Sequence, residues 1–118
     1  MEMRCPHVSA DEAGDEMFQV LFGEKRELLD GAYLLISRAF FEEDEGLPSP
    51  IYVETHDEQM VGHYPKVGAE LTRDRLTLRL PSPANETIVV DFTTSDKNFQ
   101  RLVSILGVIL QETFPDRE

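Results

Sequence analysis

The spacing of the apolar residues changes once along this chain, near residue 95, and that change constrains the fold more than any other feature. Upstream, apolar and polar residues alternate, as at Ile51 and Val53 or at Leu76 and Leu78, which is the period of a half-buried strand. Downstream, the period becomes helical, with apolar residues at Phe99, Leu102, Val103, Leu106, Ile109 and Leu110. Strands followed by one helix predict an α+β fold: a mostly antiparallel sheet of about six strands with one C-terminal helix packed on one face.

Individual strands can be placed from the same pattern. Residues 31–41 are apolar on both faces and predict a central strand, and residues 51–56 and 59–64 predict the two arms of a hairpin. Further strands are predicted over 17–22, 70–73 and 75–80, and in a last strand whose inward row is Ile88, Val90 and Phe92. Residues 1–16 show no period and predict a flexible N-terminal segment. The length of 118 residues predicts a single domain over 1–118.

The charge is strongly acidic and unevenly placed. Lys and Arg number 11 against 23 Asp and Glu, a formal net charge of −12. Residues 1–60 contain 15 acidic and 4 basic side chains, whereas residues 61–118 contain 8 and 7. This balance argues against nucleic acid or an anionic membrane as a partner, because both require a cationic surface. The unbroken run at 42–45 is interpreted either as a solvated loop or as a docking surface for a basic partner.

Two further observations bear on the compartment. A single cysteine, Cys5, excludes a disulfide framework within the chain. No apolar run approaches the roughly 20 residues of a membrane span, and the first ten residues lack the pattern of a secretory signal. We therefore expect a cytoplasmic protein.

Motifs that carry chemistry are scarce. The sequence contains no glycine-rich phosphate loop and no Gly-x-Ser-x-Gly elbow. One dense polar cluster contains Glu54, His56 and His63, which would suit zinc, and Glu54 with Glu58 could form an acid/base pair. Neither arrangement matches a recognised ligand or catalytic spacing. We therefore predict no catalytic residue, no metal and no cofactor.

The hairpin region carries a short motif. Tyr52 and Glu54 form an aromatic-x-Glu pair, the acidic turn at 56–59 ends in Gln, and Gly62-His63-Tyr64 reads Gly-x-Tyr. With the strands at 70–80 and the closing helix, this resembles immunity protein family 10 of bacterial polymorphic toxin systems, over roughly residues 31–112. The resemblance implies a small α+β protein that binds and neutralises a cognate toxin in the cytoplasm without catalysis.

The charge fits that implication if the toxin is a nuclease, because such toxins need cationic clefts for a polyanionic substrate. We expect the partner to be a basic protein bound by these residues: Glu42, Glu43, Asp44, Glu45, Tyr52, Glu54, Asp57, Glu58 and Tyr64. Two alternatives stay open. One is a structural or regulatory protein that forms a homodimer or hetero-complex through an exposed strand edge. The other is a small enzyme or metal-dependent protein built around Glu54, His56 and His63.

Overall fold

A computed structural model describes residues 1–12, 17–25, 31–39, 50–57, 61–81 and 84–110. Within these ranges the chain forms nine strands followed by one helix. The strands are β1 (Glu2–Arg4), β2 (His7–Glu12), β3 (Met17–Gly23), β4 (Tyr33–Ala39), β5 (Ile51–Thr55), β6 (Gly62–Tyr64), β7 (Gly68–Leu71), β8 (Arg75–Leu80) and β9 (Glu86–Asp91), and the helix is α1 (Asp96–Leu110).

Strands β2 to β6 form one antiparallel sheet in chain order, β2-β3-β4-β5-β6. Its inner face is mostly apolar and buried, because every second residue of each strand points to the core. The sequence placed β4 at the centre, and the structure confirms this. The predicted hairpin is also confirmed, since β5 pairs with β6.

The remaining strands form a second sheet in the order β1-β9-β8-β7, where β1 and β9 are parallel and the other pairs are antiparallel. In β8, Leu76, Leu78 and Leu80 are buried as the alternation predicts. The α+β class with a C-terminal helix is therefore confirmed, whereas a single sheet of about six strands is wrong. The sequence missed β1 and β2, because β1 spans only three residues and β2 buries only Ala10, too little to show a period.

The N-terminal segment also differs from the prediction of a flexible extension over 1–16. Its described part, residues 1–12, contains β1 and β2, one in each sheet. Met3 is 8% exposed and Cys5 is fully buried, and the Cys5 amide donates to the Asp91 carbonyl at 2.8 Å. Backbone pairing with β9 therefore orders a segment that buries too few side chains to be recognised from hydrophobicity.

Helix α1 begins after Ser95, whose Oγ accepts a hydrogen bond from the Asn98 amide at 3.1 Å, as the predicted N-cap requires. Its buried side chains are Phe99, Leu102, Ile105, Leu106, Ile109 and Leu110. They join the inward rows of both sheets in one core. The helix backbone lies closest to β2 and β3, and not to the Ile88 and Val90 row of β9 that the sequence analysis would pair with it.

Side chains of the helix also reach the edge strand β2. Asn98 Nδ2 donates to the Val8 carbonyl at 3.0 Å, and Arg101 Nε donates to the Ala10 carbonyl. Helix side chains thus occupy part of the free edge of the five-stranded sheet. In the part of the chain that the structure describes, no helix is long and apolar enough to cross a membrane.

Candidate functional site

The outer faces of the two sheets differ in charge. The strands β2 to β6 contain one Lys or Arg residue, Arg38, and it lies on the inner face, where its guanidinium donates to the Ile109 carbonyl at 2.7 Å. The four-stranded sheet instead carries exposed arginines paired with acids, Arg75 with Asp91 at 2.7 Å and Arg79 with Glu70 at 3.0 Å. The outer face of the five-stranded sheet, here called the acidic face, therefore has carboxylates and no strand-borne Lys or Arg, although Arg101 of helix α1 pairs with Asp11 at 3.5 Å.

Strand register arranges the acidic face in rows. One row crosses four strands from Ser9 through Leu21 and Leu35 to Glu54. The neighbouring row crosses all five strands, and its members are Asp11, Gln19, Ser37, Tyr52 and His63. The leucines, Tyr52 and Glu54 are half-buried, so apolar and acidic groups share one accessible surface.

Two tyrosines hold the Glu54 carboxylate. The Tyr33 hydroxyl donates to Glu54 Oε2 at 2.6 Å, and the Tyr52 hydroxyl donates to Glu54 Oε1. Tyr33 lies on β4 and Tyr52 lies two residues before Glu54 on β5, so the two hydroxyls reach the carboxylate from different strands. These three side chains are called the tyrosine–glutamate cluster below.

The hydrogen bonds shift the pKa values of all three groups. Hydrogen bonds from Tyr33 and then Tyr52 lower the pKa of Glu54, because they stabilise its charged form. The bond to Glu54, followed by burial, raises the pKa of Tyr33 to about 12, and the same two causes raise the pKa of Tyr52. Near neutral pH the cluster therefore consists of one carboxylate and two neutral phenols.

Two histidines border the cluster. The Tyr33 amide donates to His56 Nδ1 at 3.3 Å, and the ring centroids of these residues are 6.3 Å apart. The rings of Tyr52 and His63 are tilted, with centroids 4.9 Å apart. Within the described ranges, no group of three or more His, Cys, Asp and Glu side chains could hold a metal ion. The hypothesis of a metal site at Glu54, His56 and His63 thus lacks a ligand set among the described residues.

The predicted partner residues divide into three groups. Tyr52 and Glu54 lie together on the acidic face, and Asp57 follows the end of β5, where its amide donates to Thr55 Oγ1 at 3.0 Å. Tyr64 points into the core and is 6% exposed, so it cannot be a surface anchor. A third group lies outside the described residues: Glu42, Glu43, Asp44, Glu45 and Glu58.

Tyr33 is the site residue that the sequence analysis missed. It lies in the segment 31–41, which is apolar on both faces and predicts a central strand, so the pattern assigns it no role in binding. Its register beside the β5 strand places its hydroxyl on Glu54 instead. The sequence signal that could have identified Tyr33 is the tyrosine itself, because a phenol within an apolar segment needs a polar partner for its hydroxyl.

The fold and this surface together define an α+β protein with a carboxylate-bearing sheet face. No protein-family model matches the chain, and no curated protein matches it. The resemblance to the immunity family therefore rests on the hairpin motif.

Proposed function

We propose that this protein is an immunity-type binding module that neutralises a cognate toxin by covering part of its surface. The observation that carries the proposal is the Glu54 carboxylate held by Tyr33 and Tyr52 on the acidic face. Tyrosines are among the residues that dominate protein interfaces, and a fixed charge adds specificity and speeds association with an oppositely charged partner. The proposed activity is binding, with no catalytic step.

The geometry of the hairpin motif supports this assignment. The Tyr52-x-Glu54 half of the motif lies on the acidic face, whereas Tyr64 of the Gly-x-Tyr half lies in the core. A Cβ atom at Gly62 would lie 3.3 Å from the Tyr64 hydroxyl, so glycine lets that ring pack against the strand. One half of the motif thus accounts for the fold, and the other half presents chemistry to a partner.

The distribution of charge favours a basic toxin, such as a nuclease. On the second sheet, Asp91 and Glu70 are paired with arginines, whereas Glu54 is bound by neutral hydroxyls and keeps its full charge. A surface of this kind accelerates association with a cationic partner, chiefly at low ionic strength. The acidic run at 42–45 contributes four further carboxylates to the net negative charge of the protein.

Co-expression with the product of the adjacent gene, where we expect the cognate toxin to be encoded, tests the proposal. We expect the wild-type protein to restore growth of the host and to co-purify with the toxin. Replacing Tyr52 by Ala should weaken binding about 30-fold, the effect of losing an interface anchor worth about 2 kcal/mol. The matched control is Thr77→Ala on the four-stranded sheet, which should change binding less than twofold. If the wild-type protein gives no protection and forms no complex with the toxin, the proposal is overturned.

The acidic run calls for a kinetic measurement. Replacing the four acids at 42–45 with Gln and Ser should slow association with the toxin roughly tenfold at low salt, and the difference should shrink as salt rises. An unchanged association rate at both salt concentrations would assign that run to a solvated loop.

A homodimer or hetero-complex through a strand edge is the second candidate. The observation in its favour is that β6 ends the five-stranded sheet, opposite the β2 edge that helix side chains occupy. Sedimentation at increasing concentration separates the two functions. A stable dimer without toxin would favour the edge, whereas a monomer that binds toxin would favour the acidic face.

A further inference from the structure

We propose that the tyrosine–glutamate cluster is a receptor for one arginine side chain of the protein partner. This inference rests on the proposed function and specifies the chemistry of the contact. It follows from the donors and acceptors that the cluster leaves available, from the charge of the surrounding face and from the aromatic rings on either side of the carboxylate.

The donors of the cluster are already used. Each tyrosine hydroxyl has one proton, and both protons are given to Glu54, one to each carboxylate oxygen. Each carboxylate oxygen has two lone pairs, so one remains on each, and each phenol oxygen also keeps acceptor capacity. The half-exposed cluster therefore offers a ligand acceptors only. An anion such as phosphate would find no donor among these three side chains, whereas a cation rich in N–H groups would find several acceptors.

Among cationic side chains, the array fits arginine best. A guanidinium is planar and binds both oxygens of a carboxylate with two parallel hydrogen bonds, which a lysine ammonium cannot do. Arginine also stacks on aromatic rings, and Tyr33 and Tyr52 lie on either side of Glu54. Because both tyrosines hold the carboxylate before the ligand arrives, little side-chain freedom remains to be lost on binding.

The rest of the acidic face favours the same ligand. Leu35 is paired with Glu54 in the strand register and Leu21 is next in that row, so half-buried apolar side chains adjoin the carboxylate. The aliphatic stem of an arginine can pack on such a surface while its head binds the acid. No strand-borne Lys or Arg of this face competes for Glu54, since Arg38 points inward to Ile109.

The test uses methylguanidinium as the probe, titrated into the isolated protein and followed by amide and tyrosine-ring NMR signals. We expect saturable shifts centred on Tyr33, Tyr52 and Glu54, with methylammonium binding about tenfold more weakly and phosphate producing no shifts there. Saturation matters, because a protein of net charge −12 also attracts cations diffusely, which gives linear shifts at many carboxylates.

Two substitutions identify the acceptor. Glu54→Gln should weaken methylguanidinium binding about tenfold or more, because it removes the charge from a bidentate charged pair. Glu70→Gln, on the other sheet, is the matched control and should leave binding at the cluster unchanged. Circular dichroism of each variant verifies that it is folded. Non-saturable shifts, or saturable shifts that survive Glu54→Gln in a folded variant, would overturn the inference.

The inference and the proposed function can fail separately. If the toxin is neutralised but Glu54→Gln binds toxin as tightly as the wild type does, the arginine receptor is wrong and the immunity function stands. If methylguanidinium binds at the cluster but the toxin is neither bound nor blocked, the toxin assignment is wrong and the receptor belongs to another arginine-bearing protein.

Discussion

Replacing Glu54 by Gln removes the charge that holds two tyrosines in their neutral form, and Tyr33 should report the loss directly. In the wild-type protein the bond to Glu54, together with burial, raises the pKa of Tyr33 to about 12 from the ordinary value of about 10. Ionising Tyr33 would break that bond and place a second negative charge beside Glu54. We expect Glu54→Gln to return the pKa of Tyr33 most of the way to about 10, because burial is the smaller cause.

The size of the effect follows from the same shift. A rise from about 10 to about 12 corresponds to roughly 2.7 kcal/mol between the two protonation states. Both side chains are half-exposed, so solvent screening reduces the share that reaches folding stability to about 1 kcal/mol. A raised tyrosine pKa stabilises the fold in full below about pH 10, and that contribution is lost as pH rises through about 12. The lowered pKa of Glu54 matters at acid pH: its contribution to folding stability is present above the ordinary glutamate pKa and is lost as pH falls below that range.

NMR of protein labelled at the tyrosine ring carbons measures this ionisation, and Tyr33→Phe assigns the signal. Near pH 11, about 10% of Tyr33 should be ionised in the wild-type protein, whereas in Glu54→Gln most of it should be ionised, with about 90% as the limit for a full return to a pKa of about 10. Glu70→Gln should match the wild type. A wild-type Tyr33 that titrates near pH 10, or one whose titration is unmoved by Glu54→Gln, would refute the geometry of the cluster.

Further predictions concern the core and the helix. Leu106→Ala should lower the free energy of unfolding in urea by about 3 kcal/mol, or Tm by about 12 °C, because Leu106 is fully buried. Val103→Ala, at a half-buried position, should lower it by about 1 kcal/mol. Equal losses for the two variants would contradict the orientation of the helix. Ser95→Ala should cost about 1 kcal/mol in the same assay, and no loss would mean that the cap is not formed. Burial, followed by the charge of Glu24, raises the pKa of Cys5 to about 11, so iodoacetamide should modify it slowly at neutral pH and rapidly in urea; equal rates would place Cys5 at the surface.

The fold could be predicted from the sequence wherever a period ran long enough to be seen. The six residues of β8 and the 15 of α1 repeat their apolar positions several times, so their faces were assigned from spacing. The spacing misjudged two positions of the helix: Ile105, which it left out of the apolar face, is buried, and Val103, which it included, is half-buried. Strand β1 offered only Met3 as an inward residue, and its place depends on backbone bonds to β9, which no side-chain pattern encodes.

The site could be predicted only in part, for a different reason. Tyr52 and Glu54 are neighbours on one strand face, so alternation alone brings them together. Tyr33 is 21 residues away from Glu54 in the chain, and their contact depends on the register of β4 against β5. Tyr64 shows the converse error: tyrosine is common at interfaces, but the alternation in β6 directs this one inward.

The acids of the two sheets have different partners. In the four-stranded sheet and the helix, Asp91, Glu70 and Asp96 each have an arginine partner, so charge is balanced locally. On the acidic face, Glu54 is stabilised by hydroxyl groups that satisfy its hydrogen bonds without neutralising it. An arginine in place of the tyrosines would form a stronger pair but would leave no net charge to attract a partner. Tyrosines keep the carboxylate ordered and still charged, which is the condition that a surface receptor for a cation must meet.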